Sequence, residues 1–249
     1  MIFESHAHFE DSAFDEDREQ LLQKIHSGLI ETIVDVGSTL ESSRQALELA
    51  KTHDYIYAAV GIHPEEIKDF GIPGQMISEE VDGRPCRNFY PKQMPPDEIN
   101  WQDNPVMLEI KELAQNDRCV SIGEIGLDYY WVKDEKARAW QKYFFKAQLE
   151  MAAEMDLPVI VHSREAAADT FSIMKEATTN GVKAVIHSYS YSPEQARDYV
   201  DMGCYIGVGG VVTFKNAKKL IDVVREAPLE RILVETDCPY MAPEPFRGM

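Results

Sequence analysis

The sequence predicts a (β/α)8 TIM barrel, an α/β fold in which eight parallel strands alternate with helices. The chain has 249 residues, and barrels of this kind typically contain about 250. Eight short runs rich in Val and Ile alternate with longer amphipathic stretches, which is the order that a helix-covered parallel sheet requires. Several of the short runs are apolar throughout, as expected for strands buried on both faces.

The eight predicted strands share this apolar, β-branched character. They cover residues 2–9, 32–36, 55–62, 119–125, 158–162, 183–187, 205–208 and 232–235. Their spacing leaves room for a helix after each of the first seven strands. An open sheet is disfavoured, because a regular eightfold alternation is the pattern of a closed barrel.

Seven helices are predicted between these strands. They cover residues 15–27, 41–53, 105–117, 134–155, 164–179, 193–202 and 216–226. In the segment 134–155, Trp140, Phe144, Ala147 and Met151 recur at helical spacing and are expected to pack against the sheet. No helical pattern follows the last strand, so the expected fold is a barrel whose last helix is absent from this chain.

One segment, at about 66–105, interrupts the alternation and is dense in Pro and Gly. Within it, residues 76–90 are predicted to form a hairpin that reverses at Asp82 and Gly83, because Asp-Gly favours tight reversal. A segment that leaves the third strand of a barrel rises on the catalytic side. The sequence therefore predicts one domain over residues 1–249, with this insertion on the catalytic face.

Composition restricts the possible partners and location. The net charge of −18 argues against electrostatic binding along a stretch of duplex DNA. It is compatible with binding of a nucleic acid end in a small metal-lined pocket. No run is long and apolar enough to span a membrane, and the first residues lack the pattern of an export signal. The four cysteines form no C-x-x-C pair, which favours reduced thiols and a cytoplasmic protein without a membrane partner.

The candidate site begins with His6 and His8, which point to the same side of the first strand because side chains alternate along a strand. Five further candidates stand at the predicted carboxyl ends of other strands: His63, Glu124, His162, His187 and Asp237. Each alone could be an ordinary polar residue at a strand end. In a barrel, however, these ends meet at one opening, and clustered imidazoles and carboxylates are the ligands of metal sites.

The number of candidate ligands favours two ions over one. Two divalent ions that share a carboxylate would use four imidazoles and two carboxylates. Such a pair suits hydrolysis of a phosphodiester, and equally of an amide or another ester, so the ions alone leave the substrate open. Mixed imidazole and carboxylate ligation permits Zn, Mg, Mn or Ni.

Several motifs follow the histidine pair along the chain: G-I-H-P, G-E-I-G-L-D-Y-Y, H-S-R-E, E-T-D-C-P-Y and A-P-E-P-F-R-G. With that pair they cover most of the chain, from His6 to Arg247. They resemble the motifs of the TatD family of metal-dependent deoxyribonucleases, which are amidohydrolase-type barrels. The resemblance implies one ion held by His6, His8, Glu124 and Asp237. It implies a second ion held by Glu124, His162 and His187, with Glu124 as the bridge.

The same resemblance implies roles for residues around the ions. Asp237 would orient the hydrolytic water or take its proton. With the bridging Glu124, it makes up the implied pair of catalytic residues. The implied substrate-binding residues are His63, Arg164, Asp128 and Tyr129. The expected activity is release of nucleotides from DNA 3′ ends, or from single-stranded DNA, by a monomer or weak oligomer.

Two alternatives remain open at this stage. A small-molecule amidohydrolase or lactonase could use the same ligands, and a protein of another class could keep the barrel as a non-catalytic binding protein. The complete ligand set disfavours the non-catalytic protein. The chain also departs from the family pattern at 188–191, where Ser-Tyr-Ser-Tyr stands in place of the usual Cys-Phe-Ser-Gly, and at the 66–105 insertion.

Overall fold

The computed structural model describes residues 2–248, so the predicted domain limits Met1 and Met249 lie outside the described residues. Within this part of the chain, the strands numbered in order are β1 (Ile2–Ala7), β2 (Ile30–Val36), β3 (Ile56–Val60), β4 (Gly74–Val81), β5 (Arg84–Pro91), β6 (Cys119–Asp128), β7 (Val159–Arg164), β8 (Ala184–Ile186), β9 (Tyr205–Val208) and β10 (Ile232–Val234). Eight of them form one parallel sheet in the order β1-β2-β3-β6-β7-β8-β9-β10. This architecture confirms the predicted barrel.

The first and last strands approach each other and nearly close the barrel. The Ser5 hydroxyl donates to the carbonyl of Val234 at 3.1 Å. The amide of Thr236 donates to the Glu4 carboxylate at 2.9 Å. Residues from the two extremes of the chain therefore lie side by side at the carboxyl ends of the strands.

Helices cover the outside of this sheet. They are α1 (Arg18–His26), α2 (Leu40–Thr52), α3 (Pro105–Ala114), α4 (Glu135–Glu154), α5 (Ala167–Thr179), α6 (Pro193–Asp201) and α7 (Lys218–Glu226). Each lies within three residues of its predicted limits. The stripe predicted on α4 is buried, with Phe144 3% exposed and Met151 fully enclosed. Among the described residues, no helix combines the length and apolarity needed to cross a membrane.

Strand β6 is longer than predicted, because it continues past residue 125 to Asp128. Gly126 explains the extension: its φ of 143° suits glycine, and a Cβ there would collide with the carbonyl of His162 on β7. The close approach keeps the two strands paired as far as Asp128 and Arg164. Glu124 and His162 therefore lie inside their strands rather than at the strand ends.

The predicted hairpin is present as the antiparallel pair β4 and β5. Its turn is at Asp82 and Gly83, whose φ angles of 51° and 75° are the left-handed values of a tight hairpin turn. Asn88 of β5 donates its amide to the carbonyl of Trp131, 2.7 Å away in the loop after β6. The hairpin thus contacts the opening side of β6, and the placement of the whole 66–105 segment on the catalytic face stays a prediction.

Candidate metal centre

The two carboxylate oxygens of Glu124 face different histidines. Its Oε2 lies 3.6 Å from His6 Nε2 and 3.9 Å from His8 Nε2. Its Oε1 lies 2.9 Å from His162 Nδ1 and 3.7 Å from His187 Nε2. Glu124 is only 5% exposed, so this one carboxylate is the centre around which the predicted histidines gather.

Asp237 approaches the same centre from the segment after β10. Its Oδ1 lies 3.4 Å from His8 Nε2, 3.7 Å from His6 Nε2 and 3.8 Å from His187 Nε2. The rings of His6 and His187 stack, with 3.6 Å between their centroids. Asp237 has a left-handed φ of 59°, and its amide donates to the carbonyl of His6 at 2.9 Å. All six predicted metal ligands thus come together.

The donor set fits divalent cations. The Nδ1 of His8 is 2.7 Å from the carbonyl of Val36. Because a carbonyl only accepts, Nδ1 carries a proton, and in the neutral ring Nε2 is the nitrogen whose lone pair is available to a metal. His8 Nε2 lies 3.1 Å from His6 Nε2, and both nitrogens face the carboxylates of Glu124 and Asp237. Converging lone pairs and anionic oxygens in a buried space are what a metal site provides.

His187 is oriented by a carboxylate behind its ring. Its Nδ1 lies 3.1 Å from Glu235 Oε1, which also accepts the amide of Ser188 at 2.6 Å. A Cβ at Gly207 would collide with the Glu235 carboxylate, so the glycine of β9 makes room for it. Glu235 is not among the predicted site residues, although its place two residues before Asp237 was a signal that could have identified it.

His63 differs from the other histidines in its tautomer. Its Nδ1 accepts the amide of Glu65 at 3.2 Å, so in a neutral ring the proton is on Nε2, which lies 3.7 Å from Glu124 Oε1. Burial lowers the pKa of His63 to about 3, so the ring is neutral. His63, Glu124 and His162 lie close enough to hold an ion, but this tautomer makes His63 a hydrogen-bond donor rather than a ligand.

Two buried glutamines of α4 fix the segment that carries this histidine. Gln148 accepts the amide of Ile62 at 2.8 Å and donates to the carbonyl of Ile62 at 3.1 Å. Gln141 donates to the carbonyl of Pro64 at 3.0 Å and accepts the amide of Asp128 at 3.1 Å. Both side chains are 1% exposed. Neither glutamine is among the predicted site residues, although two polar side chains seven residues apart within the apolar stripe of α4 were a signal that could have identified them.

Asp128 joins the metal centre to the loop that follows β6. Its Oδ2 lies 3.1 Å from His162 Nε2. Its Oδ1 accepts the amides of Tyr130 and Trp131, each at 2.9 Å. Asp128 is fully buried, so it supports His162 and the loop at the same time.

The aromatic rings beside Arg164 are those of Tyr130 and Trp131. The guanidinium carbon lies 3.9 Å from the centroid of the Tyr130 ring and 5.5 Å from that of Trp131. The predicted residue Tyr129 instead donates its hydroxyl to Asp169 at 2.6 Å. Among the described residues no carboxylate forms an ion pair with Arg164, so its guanidinium can receive an anion.

The unusual loop at 188–191 has a structural explanation. The hydroxyl of Tyr191 lies 2.8 Å from Ser163 Oγ and accepts the amide of Ala166 at 3.2 Å. Ser163 and Ala166 stand on either side of Arg164 in the sequence. The tyrosine therefore holds the turn that carries the arginine.

The carboxylates of the centre are ionised. Burial alone would raise the pKa of Glu124, but its interactions with the surrounding imidazoles, including a hydrogen bond from His162, outweigh burial and hold the pKa well below its usual value. Burial likewise opposes ionisation of Asp237, but the hydrogen bond from His8 prevails and lowers its pKa. Both side chains are therefore anionic at neutral pH.

Three histidines of the centre hold protons in the metal-free protein, although burial alone would lower their pKa values. One of them is His8, whose pKa the hydrogen bonds to Asp237 and Glu10 raise well above its usual value. Hydrogen bonds to Asp128 and Glu124 nevertheless raise the pKa of His162 to about 10. The charge of Glu235 raises that of His187 to about 9. Because a metal binds only the neutral imidazole, ions must displace these protons.

We expect metal uptake at pH 7 to release about three protons, from His8, His162 and His187. In calorimetric titrations the apparent enthalpy will then depend on the ionisation enthalpy of the buffer, and affinity will rise as the pH increases from 7 towards 9. His53→Gln, a change at a surface histidine bonded to Glu19, should leave the proton count unchanged. An enthalpy independent of buffer would contradict the ligand assignment.

The same pKa shifts set the pH dependence of the metal-free fold. A histidine whose pKa is raised in the folded state stabilises that state fully below its unfolded pKa of about 6.5. This contribution disappears as the pH rises through about 9 for His187 and about 10 for His162. In the presence of a chelator, the melting temperature should therefore fall between pH 7 and pH 10.

Comparison with known proteins places this centre in a family. The family model described as TatD related DNase matches residues 3–249. A metal-dependent hydrolase of Bacillus subtilis, YabD, is 37% identical over 248 residues, covering 100% of this chain and 84% of the relative.

Two further relatives agree with this match. The crystal structure of YjjV, a TatD homologue from Escherichia coli K12, has 29% sequence identity and a TM-score of 0.79, covering 100% of this chain and 83% of that one. A protein of Pantoea ananatis named 3′-5′ ssDNA/RNA exonuclease TatD is 27% identical over 248 residues, covering 99% of this chain and 82% of the relative. The chain belongs to the TatD-related family of metal-dependent hydrolases.

Proposed function

We propose that this hydrolase is a nuclease that uses two divalent ions to release nucleotides from the 3′ end of single-stranded DNA. The observation that carries the proposal is the position of Glu124, whose Oε2 faces His6 and His8 while its Oε1 faces His162 and His187. A carboxylate that divides its oxygens in this way is suited to bridge two ions.

The ligand sets follow from this division. His6, His8, Glu124 and Asp237 would hold one ion, and Glu124, His162 and His187 the other. When bound, the two ions supply an activated water and positive charge for the developing phosphorane. Zn, Mn, Mg and Ni are all compatible with this mixture of imidazole and carboxylate.

Asp237 is the proposed proton acceptor. It is ionised, because its pKa is lowered, and 15% of its side chain remains exposed, compared with 1% for His6 and 7% for Glu124. An anionic oxygen at the edge of a buried cluster can orient a water and take its proton. Its greater exposure distinguishes Asp237 from Glu124, the other carboxylate of the centre.

His63 and Arg164 are the proposed phosphate contacts. His63 presents an Nε2 proton towards the centre, as its tautomer requires. Arg164 has a guanidinium that is stacked on Tyr130 and forms no ion pair with a carboxylate of the described chain. A planar guanidinium can bind two phosphate oxygens at once. Both groups can therefore stabilise negative charge on the scissile phosphate.

Charge and relatedness support a nucleic acid end as the substrate. The net charge of −18 disfavours long contacts along a duplex, whereas a short single-stranded end needs only the cations of the centre and a few side chains. The Pantoea ananatis relative is named a 3′-5′ ssDNA/RNA exonuclease, which supports the same direction of attack.

The test is a turnover panel with purified, chelator-treated protein reloaded with one metal at a time. We expect stepwise nucleotide release from single-stranded DNA labelled at its 5′ end, with little release when the 3′ end is blocked. A lactone, an amide and single-stranded RNA serve as comparison substrates. Hydrolysis of the lactone or amide without hydrolysis of DNA would replace this proposal by a small-molecule amidohydrolase or lactonase. Failure to hydrolyse any substrate with any metal would favour a binding protein.

A further inference from the structure

The loop after β6 is held from two sides. On the barrel side, the Asp128 carboxylate accepts the amides of Tyr130 and Trp131. On the other side, Asn88 of the hairpin donates to the carbonyl of Trp131 at 2.7 Å. Asn88 is 7% exposed, and its amide also donates to Glu79 on the facing strand of the hairpin. The loop is therefore fixed both to the metal centre and to the insertion.

Two aromatic rings of this loop lie beside a cation of the neighbouring strand β7. Tyr130, Trp131 and Arg164 are each partly exposed. The Arg164 guanidinium lies within 5.5 Å of both ring centroids. The two rings are nearly perpendicular, with an interplanar angle of 81° and 4.7 Å between their centroids. The cluster thus combines flat apolar surfaces with a guanidinium that forms no direct ion pair with a carboxylate of the described residues.

Asp128 sets the distance between this aromatic cluster and the metal centre. The carboxylate of Asp128 that holds the loop also contacts His162 at 3.1 Å. Arg164 is two residues beyond His162 on the same strand, and it pairs with Asp128 in the sheet. A substrate group on the rings would therefore be adjacent to a phosphate at the ions.

We propose that Tyr130, Trp131 and Arg164 form a subsite that stacks a nucleobase of the substrate, and that the hairpin holds this subsite in place through Asn88. The inference rests on the proposed nuclease function and adds a recognition element to it. A nucleotide joins an anionic phosphate to a flat aromatic base, which matches the arginine and the two rings. Stacking on aromatic side chains tolerates any base, because every base has a π-face.

The first experiment removes the base rather than the protein's rings. Wild-type protein is assayed on single-stranded DNA with natural 3′ nucleotides, and on the same DNA with an abasic terminal or penultimate nucleotide. We expect one of the two abasic substrates to lose roughly 5-fold to 150-fold in kcat/KM, the range expected for one stacked base, with the loss mainly in KM. Equal kcat/KM on all three substrates would overturn the proposal.

Variants of the two rings then test whether the loss of kcat/KM on abasic DNA arises at this subsite. We call the ratio of kcat/KM on natural DNA to kcat/KM on abasic DNA the abasic penalty. In Tyr130→Leu and Trp131→Leu this ratio should fall towards 1, because the base no longer has a stacking partner. Tyr205→Leu is the matched control: Arg231 lies over this ring at 5.0 Å, but the pair is at the amino end of β9. Its penalty should equal that of the wild type. A full penalty in both loop variants would overturn the proposal.

The hairpin is tested by Asn88→Ala. Loss of its bond to the Trp131 carbonyl should raise KM for natural DNA while leaving KM for the abasic substrate and kcat on both substrates near the wild-type values. A merely structural role would change the kinetics on both substrates equally. Melting temperatures measured beside the assays show whether each variant is folded at the assay temperature.

A binding measurement separates this inference from the proposed function. Calorimetry compares a deoxynucleoside 5′-monophosphate with deoxyribose 5-phosphate on the metal-loaded protein. We expect the nucleotide to bind at least 5-fold more tightly, and Tyr130→Leu to abolish the difference. That result without DNA hydrolysis would refute the nuclease function and support the subsite. Equal binding of the two ligands in a protein that hydrolyses DNA would refute the subsite alone.

Discussion

Asp237→Asn should lower kcat by about 100-fold to 10,000-fold, the range typical of a lost proton acceptor. The amide keeps the size and one oxygen of the carboxylate, but it cannot take a proton from water. Asn also tolerates the left-handed φ of 59° found at this position, so the backbone should be undisturbed. The assay is a single-turnover measurement on the preferred substrate with the metal in excess.

Two controls accompany Asp237→Asn. Metal content shows whether the loss reflects proton transfer or a missing ion, because the Asp237 carboxylate also faces His8 at 3.4 Å. The melting temperature should stay within a few degrees of the wild type. Near-normal turnover by the metal-loaded variant would remove Asp237 from the mechanism.

Glu124→Gln should reduce the number of bound ions from two to about one, and lower kcat by at least 100-fold. The amide nitrogen cannot ligate, so only one side of the bridge would keep an oxygen. The imidazolium of His162, 2.9 Å from Glu124 Oε1, would also lose an anionic partner in the metal-free protein. Metal analysis after gel filtration, together with turnover, measures both effects.

A surface substitution provides the comparison for Glu124→Gln. Glu154→Gln makes the same chemical change on α4, where the side chain pairs with Lys111 at 3.0 Å and is 47% exposed. It should keep both ions and full turnover. If Glu124→Gln also retained two ions with wild-type affinity, the bridging role would be refuted.

The barrel could be predicted from the sequence because its signals are local. Continuous apolar runs indicate strands buried on both faces, and the aromatic stripe of α4 repeats at the helical period. The six ligands could be proposed for a related reason. The carboxyl-terminal parts of the strands converge in any barrel, so the position of a residue such as Asp237 relative to its own strand sufficed. No knowledge of the partner strand was needed.

The supporting residues could not be predicted in this way, because their partners are distant in sequence. Gln148 pairs with both backbone groups of Ile62, 86 residues away, and nothing near either residue specifies that contact. The sequence also could not show which of the neighbouring tyrosines, Tyr129 or Tyr130, would contact Arg164. Tyr129 turns to Asp169 and Tyr130 to Arg164, an outcome decided by packing between β6, β7 and α5.

The meeting of the first and last strands has a consequence for biosynthesis. His6 and His8 are among the first residues made, whereas Asp237 follows β10, and the two strands are joined by a bond between residues 229 positions apart. Contacts of such separation form late, after the chain between them has ordered. On the proposed ligand assignment, a ribosome-bound nascent chain would therefore lack the complete ligand set until residue 237 has left the exit tunnel. Partly synthesised molecules would then have no hydrolytic activity.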